Sequence, residues 1–157
     1  MKIEEAIQQS SFNNAQHKAG INLIYTASWF SAAITRMLKP FGISMQQFNI
    51  LRILQGQKGQ PAPLRLVTER MLDQMSNTSR LIDKLVAKGL VDRRQCPMDR
   101  RQVDLLLTDS GIGLVEQATE LVNRGTATLF AHVADSDFQL LNRILDTLRS
   151  PNTELNH

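Results

Sequence analysis

Apolar residues recur every three or four positions through most of the chain, the period of helices that pack along one face. Residues 14–38 read as one long helix, preceded by a shorter helical lead-in over residues 1–11. It ends at Lys39-Pro40-Phe41-Gly42, because proline disfavours helical geometry in the residue before it and glycine suits a turn. Ser44, with Gln47 three residues on, has the arrangement of a capping box. The helix it opens carries Ile50, Leu51 and Leu54 on one face, with Phe48 at the edge, and closes near Gly56. Residues 57–63 form a polar loop, and a short helix over residues 64–71 follows. A bend at residues 72–75 leads to a further helix, residues 76–88, which Gly89 stops.

The period then shortens. Residues 90–94 and 102–107 read as two strands joined by a polar loop, a small antiparallel ribbon. Thr108 or Asp109 caps the first of two last helices. One carries Leu114, Ala118, Leu121, Val122, Leu129 and Phe130; the other, residues 135–149, carries Phe138, Leu141, Ile144, Leu145 and Leu148 at helical spacing. The order helix, short helix, tight bend, helix, β-ribbon is that of a winged helix-turn-helix. The expected fold is therefore mainly α with a small antiparallel β-wing. Residues 1–40 would supply N-terminal dimerisation helices, 44–107 the winged lobe, 108–149 C-terminal dimerisation helices, and 150–157 a polar tail.

Dimerisation is expected from residues 19–33. Ile21, Leu23, Ile24, Tyr25, Trp29, Phe30, Ala32 and Ala33 nearly circle that helix, and a helix apolar on most sides must be covered on most sides. The rest of a chain this short has few elements to do so. Pairing with an identical chain about a two-fold axis is the simplest cover.

Composition narrows the class. A hydrophobic share of 42% is too high for a disordered chain. A lone cysteine, Cys96, excludes a disulfide framework and fits a reducing, cytoplasmic compartment. The start Met1-Lys2-Ile3-Glu4-Glu5 is not followed by an apolar export region. The least charged stretch, residues 19–35, is broken by Asn22, Thr26, Ser28, Ser31 and Thr35, so a soluble protein without a membrane partner is expected. The net charge of +3 is small, but residues 65–101 hold nine Lys/Arg against five Asp/Glu, and the remainder is net −1. Positive charge concentrated in one segment favours an anionic partner.

On residues 76–88, Leu81, Ile82, Leu85 and Val86 share one side with Thr78. Ser76, Arg80, Asp83, Lys84 and Ala87 lie opposite, with Asn77 and Ser79 at the flanks. Small polar groups near the N-terminus followed by long cations suit a helix that meets base edges and reaches phosphates in a major groove. Arg80 is the candidate for a base edge or adjacent phosphate and Lys84 for a phosphate. In the wing, Arg93, Arg94, Arg100 and Arg101 bracket the loop, with Asp99 beside the last pair. Clustered guanidinium groups repel one another unless anions compensate. Asp99 can hold one, leaving the others for an external anion such as a narrow minor groove.

Pro40-Phe41-Gly42-Ile43-Ser44-Met45-Gln46-Gln47-Phe48 resembles the joint between the first two helices of MarR-type (multiple antibiotic resistance) regulators. Lys88-Gly89-Leu90-Val91-Asp92-Arg93, followed by Asp99-Arg100-Arg101-Gln102-Val103-Asp104-Leu105-Leu106-Leu107-Thr108, resembles that family's wing. The resemblance implies a homodimer with intertwined terminal helices and two winged lobes that read a pseudo-palindromic double-stranded DNA operator. It assigns base contacts to Asn77, Ser79 and Arg80, a minor-groove contact to Arg101 with Arg100 beside it, and an orienting role to Asp99. It also implies a regulator, expected to be a repressor, that a small phenolic or aromatic effector releases. The family's first strand, before Leu64, here carries Pro61 and Pro63.

Tyr25, Trp29, Phe41, Met45 and Phe48 are candidates for an effector pocket near the joint between lobes, with simple core packing as the alternative. Cys96, beside Arg93, Arg94 and Arg100, sits where a positive field favours thiolate formation and oxidation. A redox role is thus open, alongside that of a bystander. His17, His132 and His157 are scattered and compose no metal site, and no phosphate loop or nucleophilic-serine motif occurs, so no cofactor and no enzyme is expected. The competing reading is a winged-helix module that docks another protein without binding DNA.

Overall fold

A computed structural model describes residues 1–98 and 102–150. It divides into two compact units, Met1–Val122 and Asn123–His157. In the first, α1 (Ile3–Ala6) precedes the long α2 (Ala15–Leu38), shorter at its start than the expected lead-in. Asn14 caps α2, its side-chain oxygen accepting the His17 N–H at 2.7 Å. A 3-10 turn, Lys39–Phe41, with Pro40 inside it, ends the helix, and Gly42 takes the left-handed conformation at φ 63°. Ser44 and Gln47 then form the capping box of α3 (Met45–Gln55): the Gln47 N–H donates to Ser44 Oγ at 3.1 Å, and the Ser44 N–H to Gln47 Oε1 at 3.0 Å. Two orphan donors at one helix start are satisfied reciprocally.

Beyond α3 come β1 (Ala62–Pro63), α4 (Leu64–Arg70), α5 (Thr78–Ala87), β2 (Val91–Gln95), β3 (Val103–Leu107) and α6 (Asp109–Phe130). The sheet has three strands in the order β1-β3-β2, all antiparallel. This corrects the two-stranded ribbon and the loop expected over residues 57–63. Ala62 pairs with Leu105 and Pro63 with Asp104. Proline is tolerated there because β1 is an edge strand with one neighbour.

The core of this unit gathers one face from most of its elements: Leu38 of α2, Ile50 and Leu51 of α3, Val67 of α4, Ile82 and Leu85 of α5, Val91 and Leu105 of the sheet, and Val115 of α6, all essentially inaccessible. Each such side chain contributes about 1.5–3 kcal/mol when fully buried. A close backbone approach lies where α6 meets the joint between α5 and β2. The Thr108 N–H donates to the Leu90 carbonyl at 3.2 Å, and its hydroxyl donates to the Gly89 carbonyl at 2.7 Å and accepts the Gly111 N–H at 3.0 Å. A Cβ at Gly111 would stand 2.0 Å from the Leu90 carbonyl oxygen, so only glycine fits.

The second unit holds the end of α6 and the helix α7 (Asp135–Arg149). The rings of Phe130 and Phe138 meet at 5.5 Å between centroids. No residue of α7 is buried; Leu140, Leu141 and Ile144 are just under half exposed, and Leu148 more than half.

Candidate nucleic-acid interface

Helix α5 is seated from below and open above. Ile82 and Leu85 are fully buried and Thr78 nearly so, whereas Ser79, Arg80, Asp83, Lys84 and Ala87 are exposed. The helix begins two residues later than its pattern suggests. Asn77 is the N-cap, its side-chain oxygen accepting the Arg80 N–H at 3.1 Å, so Ser76 and Asn77 lie in the turn rather than on the helix. Apolar periodicity alone does not register this, because a capping side chain competes with the helix for its own backbone.

The turn before α5 is held by its own polar groups. The Leu72 N–H donates to Asn49 Oδ1 of α3 at 2.8 Å, and Gln74 Nε2 donates to the Met71 carbonyl at 2.5 Å. Asp73 accepts from the Ser76 hydroxyl at 2.9 Å and the Met75 N–H at 3.0 Å. Those donors, the Ser76 hydroxyl first, hold the Asp73 carboxyl below its ordinary range. Leu72 and Met75 project from this turn almost fully exposed.

The wing is joined to α5 through charge. Arg93 on β2 donates to Asp83 on α5 at 2.6 Å, and Arg94 reaches Asp92 at 3.4 Å. Two of the wing arginines expected to face an external anion thus have carboxylate partners within the chain. Arg80 and Lys84 make no ion pair among the described residues, and they supply the open positive charge of the helix face. Cys96, a partly buried free thiol, stands just past β2, its N–H donating to the Gln102 carbonyl at 3.0 Å. Asp99, Arg100 and Arg101 lie outside the described residues.

The five candidate pocket residues are dispersed. Phe48 is buried in the core, Phe41 and Met45 are packed partly buried against it, and Tyr25 and Trp29 are substantially exposed on α2. None of them lines either of two described cavities. One of these, of about 450 Å³, lies between the first turn of α3 and the second half of α5. The other, of about 230 Å³, lies where the end of α3 faces β3 and the start of α6. Charge patterning did not reveal three further residues that shape the interface: Asp83, which engages Arg93; Asn49, which fixes the turn; and Lys88, whose ammonium donates to the Gly42 carbonyl. Asn49 and Lys88 act on residues more than twenty positions away, a relation that no local pattern carries.

Residues 43–103 match the model of the MarR family. Over those residues the chain is similar to that family. PecS of Dickeya dadantii, a helix-turn-helix transcriptional regulator, is 32% identical over 91 residues, which cover 56% of this chain and 54% of PecS. The aligned stretch thus spans about half of that relative. Solved structures of two further proteins share the fold. An organohalide-sensing RdhR transcriptional regulator superposes with a TM-score of 0.80 at 21% identity, covering 90% of this chain and 85% of that one, in ligand-free and 2,4-dichlorophenol-bound forms alike. A cysteine-to-serine mutant of MarR from E. coli, complexed with operator DNA, gives 0.78 at 22% identity, covering 90% of this chain and all of that one. The matched residues fall in the winged lobe, the part of the chain that carries Arg80 and Lys84.

Proposed function

We propose that the chain is a homodimeric transcriptional regulator that binds double-stranded DNA, lays α5 in the major groove and sets the wing against the minor groove. The observation that carries the reading is the asymmetry of α5: one face seats Ile82 and Leu85 fully in the core, the other presents Arg80 and Lys84 with no carboxylate partner among the described residues. Ser79, Asn77 and Ser76 flank the leading end, where slim side chains allow close approach to base edges. Arg101, with Arg100 and Asp99 nearby in the sequence between β2 and β3, is the minor-groove contact of this reading, and Arg93 and Arg94 serve the wing from β2. The bare apolar residues of α2, among them Ile24 at 72% exposure, and those of α7 are the surfaces that a second copy covers. A dimer places two winged lobes on half-sites about one helical turn apart, 34–36 Å, or a multiple of that.

As a repressor in the cytoplasm, such a dimer blocks transcription by occupying its operator, and a small phenolic or aromatic effector releases it. The dichlorophenol-bound form of the RdhR regulator is the support for that effector class. No enzymatic step is part of this reading. The test is selection of bound duplexes from a random library by the full chain. Enriched pseudo-palindromes with half-sites one turn apart are expected; retention of no duplex at low salt would return the winged lobe to a protein-docking role.

A further inference from the structure

Leu72 and Met75 are 82% and 93% exposed, in the turn that runs into Asn77, the N-cap of α5. The bare apolar residues of α2 and α7 lie on helices that a second copy would cover; these two lie on neither. Large apolar side chains grouped in water mark a contact surface, the more so when the backbone beneath them is fixed. Here it is fixed at both positions. The Leu72 N–H donates to Asn49 Oδ1 of α3 at 2.8 Å, and the Met75 N–H donates to Asp73 Oδ1 at 3.0 Å. Ser76 closes the turn, its N–H donating to the Asp73 carbonyl at 3.1 Å and its hydroxyl to Asp73 Oδ2 at 2.9 Å. The one carboxylate of the turn is thus engaged at both oxygens from within.

We propose that Leu72 and Met75 are specificity residues that read thymine, each packing on the C5-methyl group of one thymine at the leading end of α5. The inference rests on the DNA-binding reading and adds to it a base and two residues outside the helix. A recognition helix meets base edges with its N-terminal residues, so the turn that feeds that end is carried to the groove with it. Arg80, exposed in the first turn of α5, ties the same end to a polyanion. On the major-groove edge of the bases the thymine methyl is the apolar group, and it suits an aliphatic or thioether side chain. A phosphate offers such side chains nothing. An apolar protein surface would cover them too, but it has no use for the cations Arg80 and Lys84 that follow. Because both backbone N–H groups are already anchored, little chain entropy is lost on contact.

The test measures the affinity of the full chain for a duplex enriched from the random library. Copies of that duplex carry deoxyuridine in place of thymine, one position at a time and in both half-sites together. Deoxyuridine keeps the base pair and lacks only the methyl group. At two positions per half-site the replacement should weaken wild-type binding by roughly fourfold per methyl group removed. Met75→Ala should abolish the penalty at one of these positions and Leu72→Ala at the other, a coupling read as a double-mutant cycle. The thermal transition should stay in place, since both side chains are exposed. Absence of any deoxyuridine penalty would overturn the inference, and so would penalties that persist in both variants, the mark of an effect on duplex shape. Equal weakening of both variants on every duplex would assign the residues to the backbone and overturn it as well. In all three cases the wild type still holds duplex, and the DNA-binding reading stands. A wild type that retains no duplex at low salt would overturn that reading and the thymine contact with it, and would give the two side chains to a protein partner.

Discussion

Helices α5 and α7 have similar amphipathic patterns and opposite fates. In α5 the apolar positions Ile82 and Leu85 vanish into the core; in α7 the corresponding Leu141, Ile144 and Leu148 stay bare, and no residue is buried. Periodicity states that a face must be covered, and it is silent on what covers it. The partner of α5 lies in the same chain, in α3, α4 and the sheet. No residue of α7 is buried among the described residues, which is why the proposed second copy matters for this helix and not for α5.

The largest effect should separate these two cases. Leu85→Ala should cost about 2–5 kcal/mol in denaturant unfolding, independent of protein concentration, because it opens a cavity in a fully buried site. Ile144→Asp should leave the unfolding of the first unit nearly unchanged while shifting sedimentation from dimer to monomer. A Leu85→Ala cost that depended on concentration, or an Ile144→Asp variant that stayed dimeric, would break the contrast. Gly111→Ala comes next, at about 1–3 kcal/mol by the same unfolding measurement, since a methyl group there must displace the Leu90 carbonyl.

Much of this was legible in the chain. Ser44 with Gln47, Pro40 with Gly42, and the Leu-Thr opening of α6 are local signals, and each marks its boundary in the structure. What escaped was set by tertiary context. β1 forms because Ala62 and Pro63 reach the open edge of β3, a pairing that prolines in a loop do not announce. Arg93 counts as free charge in a sequence until Asp83, ten residues earlier, is brought against it. Phe48 has the composition of a pocket residue and the position of a core one.

The remaining predictions sharpen the contrast on the DNA side. Arg80→Ala and Arg101→Ala should each weaken operator binding by about 1–3 kcal/mol, measured by fluorescence anisotropy. Arg93→Ala should weaken it less, because that guanidinium already has a partner and the exposed pair itself contributes little, about 0–1 kcal/mol. The smallest effect concerns acid. Asp73 has its carboxyl depressed in the folded turn, so its contribution is present above its ordinary value of 3.8 and is lost as pH falls through the lower folded value. Amide protection factors in residues 72–77 should therefore fall at acid pH in the wild type, and an Asp73→Asn variant should show the lowered protection at neutral pH already.

The most direct test of the central claim is the salt dependence of affinity for a selected operator. Arg80 and Lys84 on each of two lobes should give log Kobs against log salt a slope of about −3.6 or steeper, since each neutralised phosphate contributes about −0.9. An Arg80→Ala, Lys84→Ala double variant should flatten it towards zero by nearly that amount. A shallow slope in the wild type, or one the double variant leaves unchanged, would contradict the assignment of this helix face to DNA.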